Sequence, residues 1–422
     1  MYRLVTSTSG PLVSFILPPA RAPTAAPPVL ATAVATLGRR RRPPPSSHRP
    51  FVASAASPKP TPPPIMPPLD VPLDGFLDRV REVNNVTPDS LAAFAPLFVG
   101  PGSGPPVGLV RPDVATALRR GARENLDGGA FVPDDPSASA PPDSPLRIDP
   151  DGRLGSVAAR SAVVAGALDR LRAEKILTGW RDELYPVGTR FGEDPALLIE
   201  RAAACPLGVR AFGVHVNAFV CRGAKEADGR GEGEPRRPTH VWVATRSSTK
   251  PTWPGLLDHL VAGGQPAGMT PRENVTKECG EEAGVPPALA ARAREAGCVT
   301  YTSLSDRGVG RDCLFVFDLE LPSDFVPTPC DGEVESFELL PVAEARVGGG
   351  GGEGGRGAVL ALRHAVGDAS PCERFAQVAE IVRTTTRYKP NCALVVTDFL
   401  VRHGFLDSGR PGYLELVAAL RL

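Results

Sequence analysis

Residues 263–285 read GGQPAGMTPRENVTKECGEEAGV, and the rest of the chain is read outward from them. Thr270 has the hydroxyl of a helix N-cap, Pro271 suits the first helical position, and Glu273 completes a capping box. Gly284 supplies the left-handed stop. The helix so bounded carries Glu278, Glu281 and Glu282 near its end, with Glu278 and Glu282 one turn apart on one face and Glu281 beside them. For stability alone this arrangement is poor. Like charges at that spacing repel by roughly 0.2–0.5 kcal/mol per pair, and carboxylates in a last turn oppose the helix dipole. A divalent cation reverses both effects, because Mg²⁺ takes hard oxygen ligands and sits between protein carboxylates and substrate phosphates. The competing reading is an ordinary solvated helix face.

The chain has 422 residues, 42% of them hydrophobic, which fits a two-domain body with tails. Its 47 basic and 47 acidic residues cancel, yet unevenly. No Asp or Glu precedes Asp70, whereas eight basic residues do (Arg3, Arg21, Arg39, Arg40, Arg41, Arg42, Arg49 and Lys59), so 39 basic residues face all 47 acidic ones in the body. A mildly acidic body argues against a nucleic-acid partner. No run approaches the ~18 apolar residues of a membrane span, so no membrane partner is expected.

Residues 1–69 are rich in Ser, Thr, Ala, Pro and Arg, the composition of an organellar transit peptide of plastid type, and end in a Pro-rich extended linker at 58–68. A tail without an address is the alternative. The eight cysteines show neither a C-x-x-C pair nor a neighbouring His at zinc spacing, and reduced thiols are expected.

Residues 70–205 read as a small α+β domain. A helix is expected at 73–85, a strand at VGLVRPD feeding a helix at 113–123, a loop at 128–145, a helix at 156–175, and a last helix after Asp194 and Pro195. Residues 206–422 form the larger unit. Strands at 208–221 and 240–246 make an antiparallel pair around a charged, Gly-rich loop at 223–238, with His215 and Asn217 facing one way, toward a pocket or toward solvent. Arg246 and Lys250 could clamp diphosphate oxygens, the first through its fork and the second as a point charge. Trp253 could stack on a flat ring or cover the core, the core being favoured. Beyond the acidic helix come a helix at 287–296, strands at 298–303, 313–319 and 331–341, a disordered glycine run at 347–357, and helices at 373–386 and 392–403. Glu333 and Glu335 are expected on one strand face, where one of them could approach the helix carboxylates or else simply face solvent.

The run from Gly263 through Glu278, Glu281, Glu282 and Gly284 has the spacing of the Nudix box, Gly-x5-Glu-x7-Arg-Glu-x-x-Glu-Glu-x-Gly, with Met269 at the first glutamate and Lys277 at the arginine. GWRDELYPV, GVHVN, R-x-x-x-K-x-x-W-P-G-x-L-D, DHLVAGG, DGEVESFELLP, the KPNCAL run at 389–394 and the PGYLE run at 411–415 widen the match. From about Leu73 to the C-terminus the chain resembles the plant and fungal Nudix proteins with an extra N-terminal domain related to thiamine pyrophosphokinase-associated sequences, a group that also lacks the first box glutamate. The resemblance implies an α+β protein: a Nudix α/β/α sandwich with a mixed β-sheet, preceded by a smaller α+β domain and a disordered tail. It implies hydrolysis of a diphosphate linkage in a small-molecule substrate, with Mg²⁺ or Mn²⁺ as cofactor. Damaged thiamine diphosphates, the oxo- and oxythiamine forms, are the suggested substrates, and the plastid stroma the location.

In this reading Glu278, Glu281 and Glu282 are catalytic and hold the metal, with Glu333 as an added ligand. Arg246, Lys250, Trp253, His215 and Asn217 bind substrate. Three alternatives stand beside it. An isoprenyl-diphosphate isomerase shares the R-x-x-x-K-x-x-x-P-G run but needs a cysteine just after it, and residues 256–264 contain none. A hydrolase of nucleoside diphosphate derivatives and a catalytically silent sensor for a nucleotide or thiamine ligand are the others, the last kept open by Met269 and Lys277.

Overall fold

The computed structural model describes residues 68–137, 139–221, 237–342 and 378–422. The expectations for residues 1–67, for the loop at 223–236, for the glycine run at 347–357 and for residues 373–377 lie outside these.

The first elements are α1 (Asp74–Val83), α2 (Pro88–Leu91), β1 (Ala95–Val99), β2 (Gly108–Val110), α3 (Pro112–Arg123), β3 (Val132–Pro133), β4 (Leu146–Ile148), α4 (Val157–Ala173), β5 (Leu184–Val187), β6 (Leu197–Glu200) and α5 (Ala204–Leu207). Strands β1 to β4 form a sheet in the order β2-β1-β4-β3, with β1 and β4 parallel. Its apolar face buries Leu97, Val110, Leu146 and Ile148 against Leu118 of α3 and Leu168 and Leu171 of α4. Ser156 caps α4 by accepting from the Ala159 N–H.

Residues 197–200 differ from the helix that Asp194 and Pro195 foretell. They pair antiparallel with β5, Leu197 opposite Val187 and Ile199 opposite Tyr185, and a single turn of α5 follows at Ala204–Leu207. Leu197 and Ile199 are fully buried in the core below, and strand pairing with alternate burial overrides a local helix-start signal.

The second part contains β7 (Arg210–Val220), β8 (His240–Arg246), β9 (Leu257–Asp258), β10 (Val261–Gly264), α6 (Pro271–Ala283), α7 (Pro287–Ala290), β11 (Arg294–Ser305), β12 (Gly308–Glu320), β13 (Val334–Pro341), α8 (Val378–Thr384), α9 (Pro390–Arg402) and α10 (Tyr413–Ala419). These strands form a seven-stranded mixed sheet ordered β11-β12-β7-β8-β13, with β10 on β7 and β9 on β8. The β12 and β7 pair is parallel, while β7 and β8 are antiparallel as expected.

Period-two alternation in the central strands separates two cores. Val214, Val216, Ala218 and Val220 of β7 pack with Val275, Cys279 and Ala283 of α6. Phe219, Val241, Val243, Leu314 and Val316 face the other way, onto α1, α8, α9 and α10. The result is helix, sheet, helix, and α1 contributes Phe76, Leu77, Val80 and Val83 to the layer built by the C-terminal helices. Among the described residues no helix is long and apolar enough to cross a membrane.

The fold departs from two further expectations. The helix at 287–296 is only four residues long, because Arg294 already begins β11, whose ladder with β12 runs to Ser305 across a bulge at Glu295 and Gly297. Glu333 precedes β13 rather than lying in it, and a bulge between Val334 and Ser336 falls on Glu335, so the two glutamates do not share a regular strand face.

Candidate active site

Helix α6 has the ends that its residues dictate. Thr270 Oγ1 accepts from the Glu273 N–H while the Glu273 carboxylate accepts from the Thr270 N–H at 2.9 Å, and Gly284 closes the helix at φ +62°. Val275, Cys279 and Ala283 press onto the sheet, which turns the glutamates toward β10 and the loop before β13. Gly263 is required by this approach. A Cβ there would lie 2.5 Å from Glu278 Cδ, so any larger residue would displace the helix carboxylate from its place beside the strand.

The three glutamates are not equivalent. Glu282 is buried and accepts from the Ala262 N–H at 3.3 Å. Burial first, then the charges of Asp258, Glu278 and Glu333, outweigh that bond and push its carboxyl up to about 8. Glu278 is mostly buried and is also raised, by burial first, against the pull of Lys277 at 3.2 Å. Glu281 is exposed, and Lys277 Nζ holds it at 2.7 Å. Lys277 thus bridges two carboxylates on one helix face, a task that a point charge on a flexible stem can perform without an arginine fork.

Carboxylate oxygens of Glu282, Asp331 and Glu333 lie within 4.8 Å of one another. Three oxygen donors, one of them buried and held protonated up to about 8 by its surroundings, are a set suited to a hard dication such as Mg²⁺ or Mn²⁺, which would relieve both desolvation and repulsion. Asp331 escapes a sequence reading because it lies in a turn, where its Oδ1 accepts from the Glu333 N–H at 2.8 Å; the D-G-E triplet was its only signal. Lys250 Nζ pairs with Glu333 at 2.7 Å, which brings this expected phosphate-binding lysine to the rim of the cluster.

The other expected substrate residues are placed differently. Arg246 is buried and its guanidinium is engaged by Asp258 Oδ2 at 2.8 Å and by the carbonyls of Thr252 and Trp253, both at 3.1 Å. Its fork therefore holds the turn before β9 rather than projecting outward as a phosphate clamp, a correction that follows from a carboxylate twelve residues away. Trp253 is 50% exposed at φ +55°, so it does not cover the core.

His215 and Asn217 are both buried on the face of β7 that meets α9, not toward solvent. Asn217 Nδ2 donates to Asp318 at 3.2 Å, which ties it to the sheet and to Arg402 and His403. That network gives Asn217 an anchoring task in the fold.

Two residues of the first part reach the same neighbourhood. A Cβ on Gly264 would fall 2.2 Å from the Tyr185 hydroxyl and 3.2 Å from Arg201 Cζ, so β5 and the turn after β6 stand directly over β10. Arg201 is steadied by Glu183 at 2.7 Å. Opposite them, Lys389 lies 3.6 Å from the buried Asp258, whose carboxyl Lys389, His259 and the Cys392 thiol hold below its ordinary range against the effect of burial.

A mixed sheet between helical layers, with a capped acidic helix lying over a Gly-Gly strand end, defines a Nudix sandwich. Residues 230–357 match the NUDIX domain, and residues 75–211 match a domain of unknown function, DUF4743. It is similar to Nudix hydrolase 20, chloroplastic, of Arabidopsis thaliana, 40% identical over 262 residues that make up 62% of this chain and 58% of that protein. Nudix hydrolase 24, chloroplastic, of the same plant is 41% identical over 262 residues, 62% of this chain and 59% of its own length. The chain thus spans somewhat under two thirds of either relative. Among solved structures, the MutT protein from Methanosarcina mazei Go1 is 16% identical, with a TM-score of 0.22 over 31% of this chain and 75% of its own.

Proposed function

We propose that this chain is a Mg²⁺- or Mn²⁺-dependent hydrolase of the diphosphate linkage in small molecules, and that its substrates are damaged thiamine diphosphates, released as monophosphates. The observation that carries the reading is the placement of Glu282, buried beside Asp331 and Glu333 with its carboxyl pushed up to about 8. An arrangement so costly without a cation is explained by one. Glu282, Asp331 and Glu333 would hold it, and when bound it would neutralise the diphosphate and make water a better nucleophile toward phosphorus. Glu278, whose carboxyl burial raises, would accept the proton of that water. Lys250 would meet the phosphoryl oxygens as a point charge once Glu333 turns to the cation. The division at about residue 205 gives the first part the leaving-group pocket, a role supported by Tyr185 and Arg201 over Gly264. A plastid stromal location rests on the composition of residues 1–69 and on the chloroplastic names of the two plant relatives.

Monophosphate release from oxothiamine diphosphate, thiamine diphosphate, nucleotide sugars and dinucleotides, with and without Mg²⁺, tests the reading. Glu282→Gln is expected to abolish release while keeping the melting temperature. Undiminished release in that variant overturns the assignment. One observation favours a silent ligand-binding sensor instead: Lys277 pairs with both Glu278 and Glu281. That reading requires tight, metal-independent binding of a diphosphate with no turnover.

A further inference from the structure

The histidines and cysteines show no metal-binding spacing along the chain, yet folding brings three of them together in a group that shares no residue with the acidic cluster. One imidazole nitrogen each from His215 and His259 and the Cys392 sulfur lie within 4.8 Å of one another. His215 comes from the centre of β7, His259 follows β9, and Cys392 sits in the first turn of α9, so the trio exists only in the folded chain. All three are buried, at 3%, 3% and 0% exposure. The two rings meet edge to face with centroids 5.0 Å apart.

Buried polar atoms are almost always satisfied, because one left unpaired loses its hydration with nothing in return. Here two are not. His215 Nδ1 and His259 Nε2 have no hydrogen-bond partner. Burial first, with Lys389 also opposing protonation, keeps both rings neutral; that of His259 is lowered to about 4. In the tautomer protonated at its other nitrogen, each ring offers a lone pair there with nothing to receive it.

We infer that His215, His259 and Cys392 form a trigonal site for a thiophilic d¹⁰ cation, Cu(I) before Zn(II). The donor set is that of His₂Cys copper sites, and soft thiolate with imidazole selects such ions over Mg²⁺. Binding replaces the S–H bond of Cys392 by a sulfur–metal bond, the proton leaves to solvent, and no electron is transferred.

The order of preference comes from charge. Among the described residues Asp258 is the carboxylate hydrogen-bonded to the trio, accepting from the Cys392 thiol at 2.8 Å and from the backbone N–H of His259 at 2.9 Å. It is already shared by Arg246 at 2.8 Å and Lys389 at 3.6 Å, so these three groups together carry one positive charge in excess. A monovalent ion entering with a thiolate leaves that sum unchanged, whereas a divalent ion adds to it. Three donors also suffice for Cu(I), while structural Zn(II) takes four. The ion would link the sheet to α9, so its effect falls on stability.

The test uses the full chain, loaded with Cu(I) or Zn(II) under reducing, oxygen-free conditions and passed through a desalting column. Wild type is expected to keep one more equivalent of Cu(I) than Cys392→Ser and His215→Phe, and X-ray absorption should show two imidazoles and one sulfur at that copper. Its melting temperature should rise on loading, and those of the two variants should not. Glu282→Gln should keep the extra equivalent, which separates this site from the acidic cluster and from the proposed hydrolysis. Cys330→Ser, at an exposed thiol, controls for surface binding. Equal copper in wild type and Cys392→Ser, with Cys392→Ser folded by circular dichroism, overturns the site. Zn(II) held more tightly than Cu(I) overturns the assignment of the ion.

Discussion

Gly263 and Glu278 are in direct contact: a methyl group on the glycine would stand 2.5 Å from the glutamate Cδ and 2.7 Å from its Oε1. The opening glycine of the motif and its acidic helix are thus one packing unit. Gly263→Ala should push the Glu278 carboxylate aside by a fraction of an ångström or more. Misplacing a group that acts on the reacting atoms costs roughly 100-fold in rate. The variant should lose diphosphate hydrolysis by about that factor, with far less effect on substrate affinity, as read from kcat and KM separately.

The acidic cluster should bind its cation in a pH-dependent way. Burial first, then Asp258, Glu278 and Glu333, raise the Glu282 carboxyl to about 8, so below that pH an incoming cation must displace a proton. Mn²⁺ affinity, followed by the paramagnetic resonance of free Mn²⁺, should rise with pH and level off above about 8. In Glu282→Gln the residual affinity should be weaker and should lose that dependence.

How much of this was legible differs from element to element, and for physical reasons. The ends of α6 are set by residues within four positions of one another, and Thr270, Glu273 and Gly284 do in the fold what their chemistry foretells. Strands β7 and β8 are legible because alternation is local as well. Partners from distant segments are not. Arg246 looks like a free fork until Asp258 folds against it, and Asp331 becomes a candidate ligand only where a turn meets α6. Residues 197–200 carry a helix-start signal at Asp194 and Pro195, but pairing with β5 and burial of Leu197 and Ile199 decide the outcome.

Trp253 illustrates a position whose backbone no pattern announces. It holds φ +55°, a region costing a side-chain-bearing residue about 1–2 kcal/mol. Half its surface is exposed, so little burial offsets that cost. Trp253→Gly should therefore keep or raise thermal stability. If the indole stacks on the ring of the substrate, KM for a thiamine-type diphosphate should increase several-fold in the same variant while kcat changes little. An unchanged KM would remove Trp253 from the substrate site.

Asp318 gives a stability prediction independent of any activity. Its carboxylate accepts from His403 Nε2 at 2.9 Å, from Arg402 Nη2 at 3.0 Å and from Asn217 Nδ2 at 3.2 Å, joining β12, β7 and the end of α9. Burial alone would raise it, but the bonds from His403 and Arg402 bring it down to about 2 from 3.8. A carboxyl depressed on folding stabilises the native state above its unfolded value, and this contribution is lost as the pH falls through the folded value. The difference corresponds to about 2 kcal/mol, fully present at neutral pH and lost progressively between about pH 4 and pH 2. Asp318→Asn should thus be less stable than wild type by roughly 2–4 kcal/mol at pH 7, since Arg402 also loses a buried partner. Urea unfolding across this range should show the gap narrowing with acid as wild type sheds the contribution that the variant never had. A gap constant with pH would mean that the carboxylate charge contributes nothing at this junction.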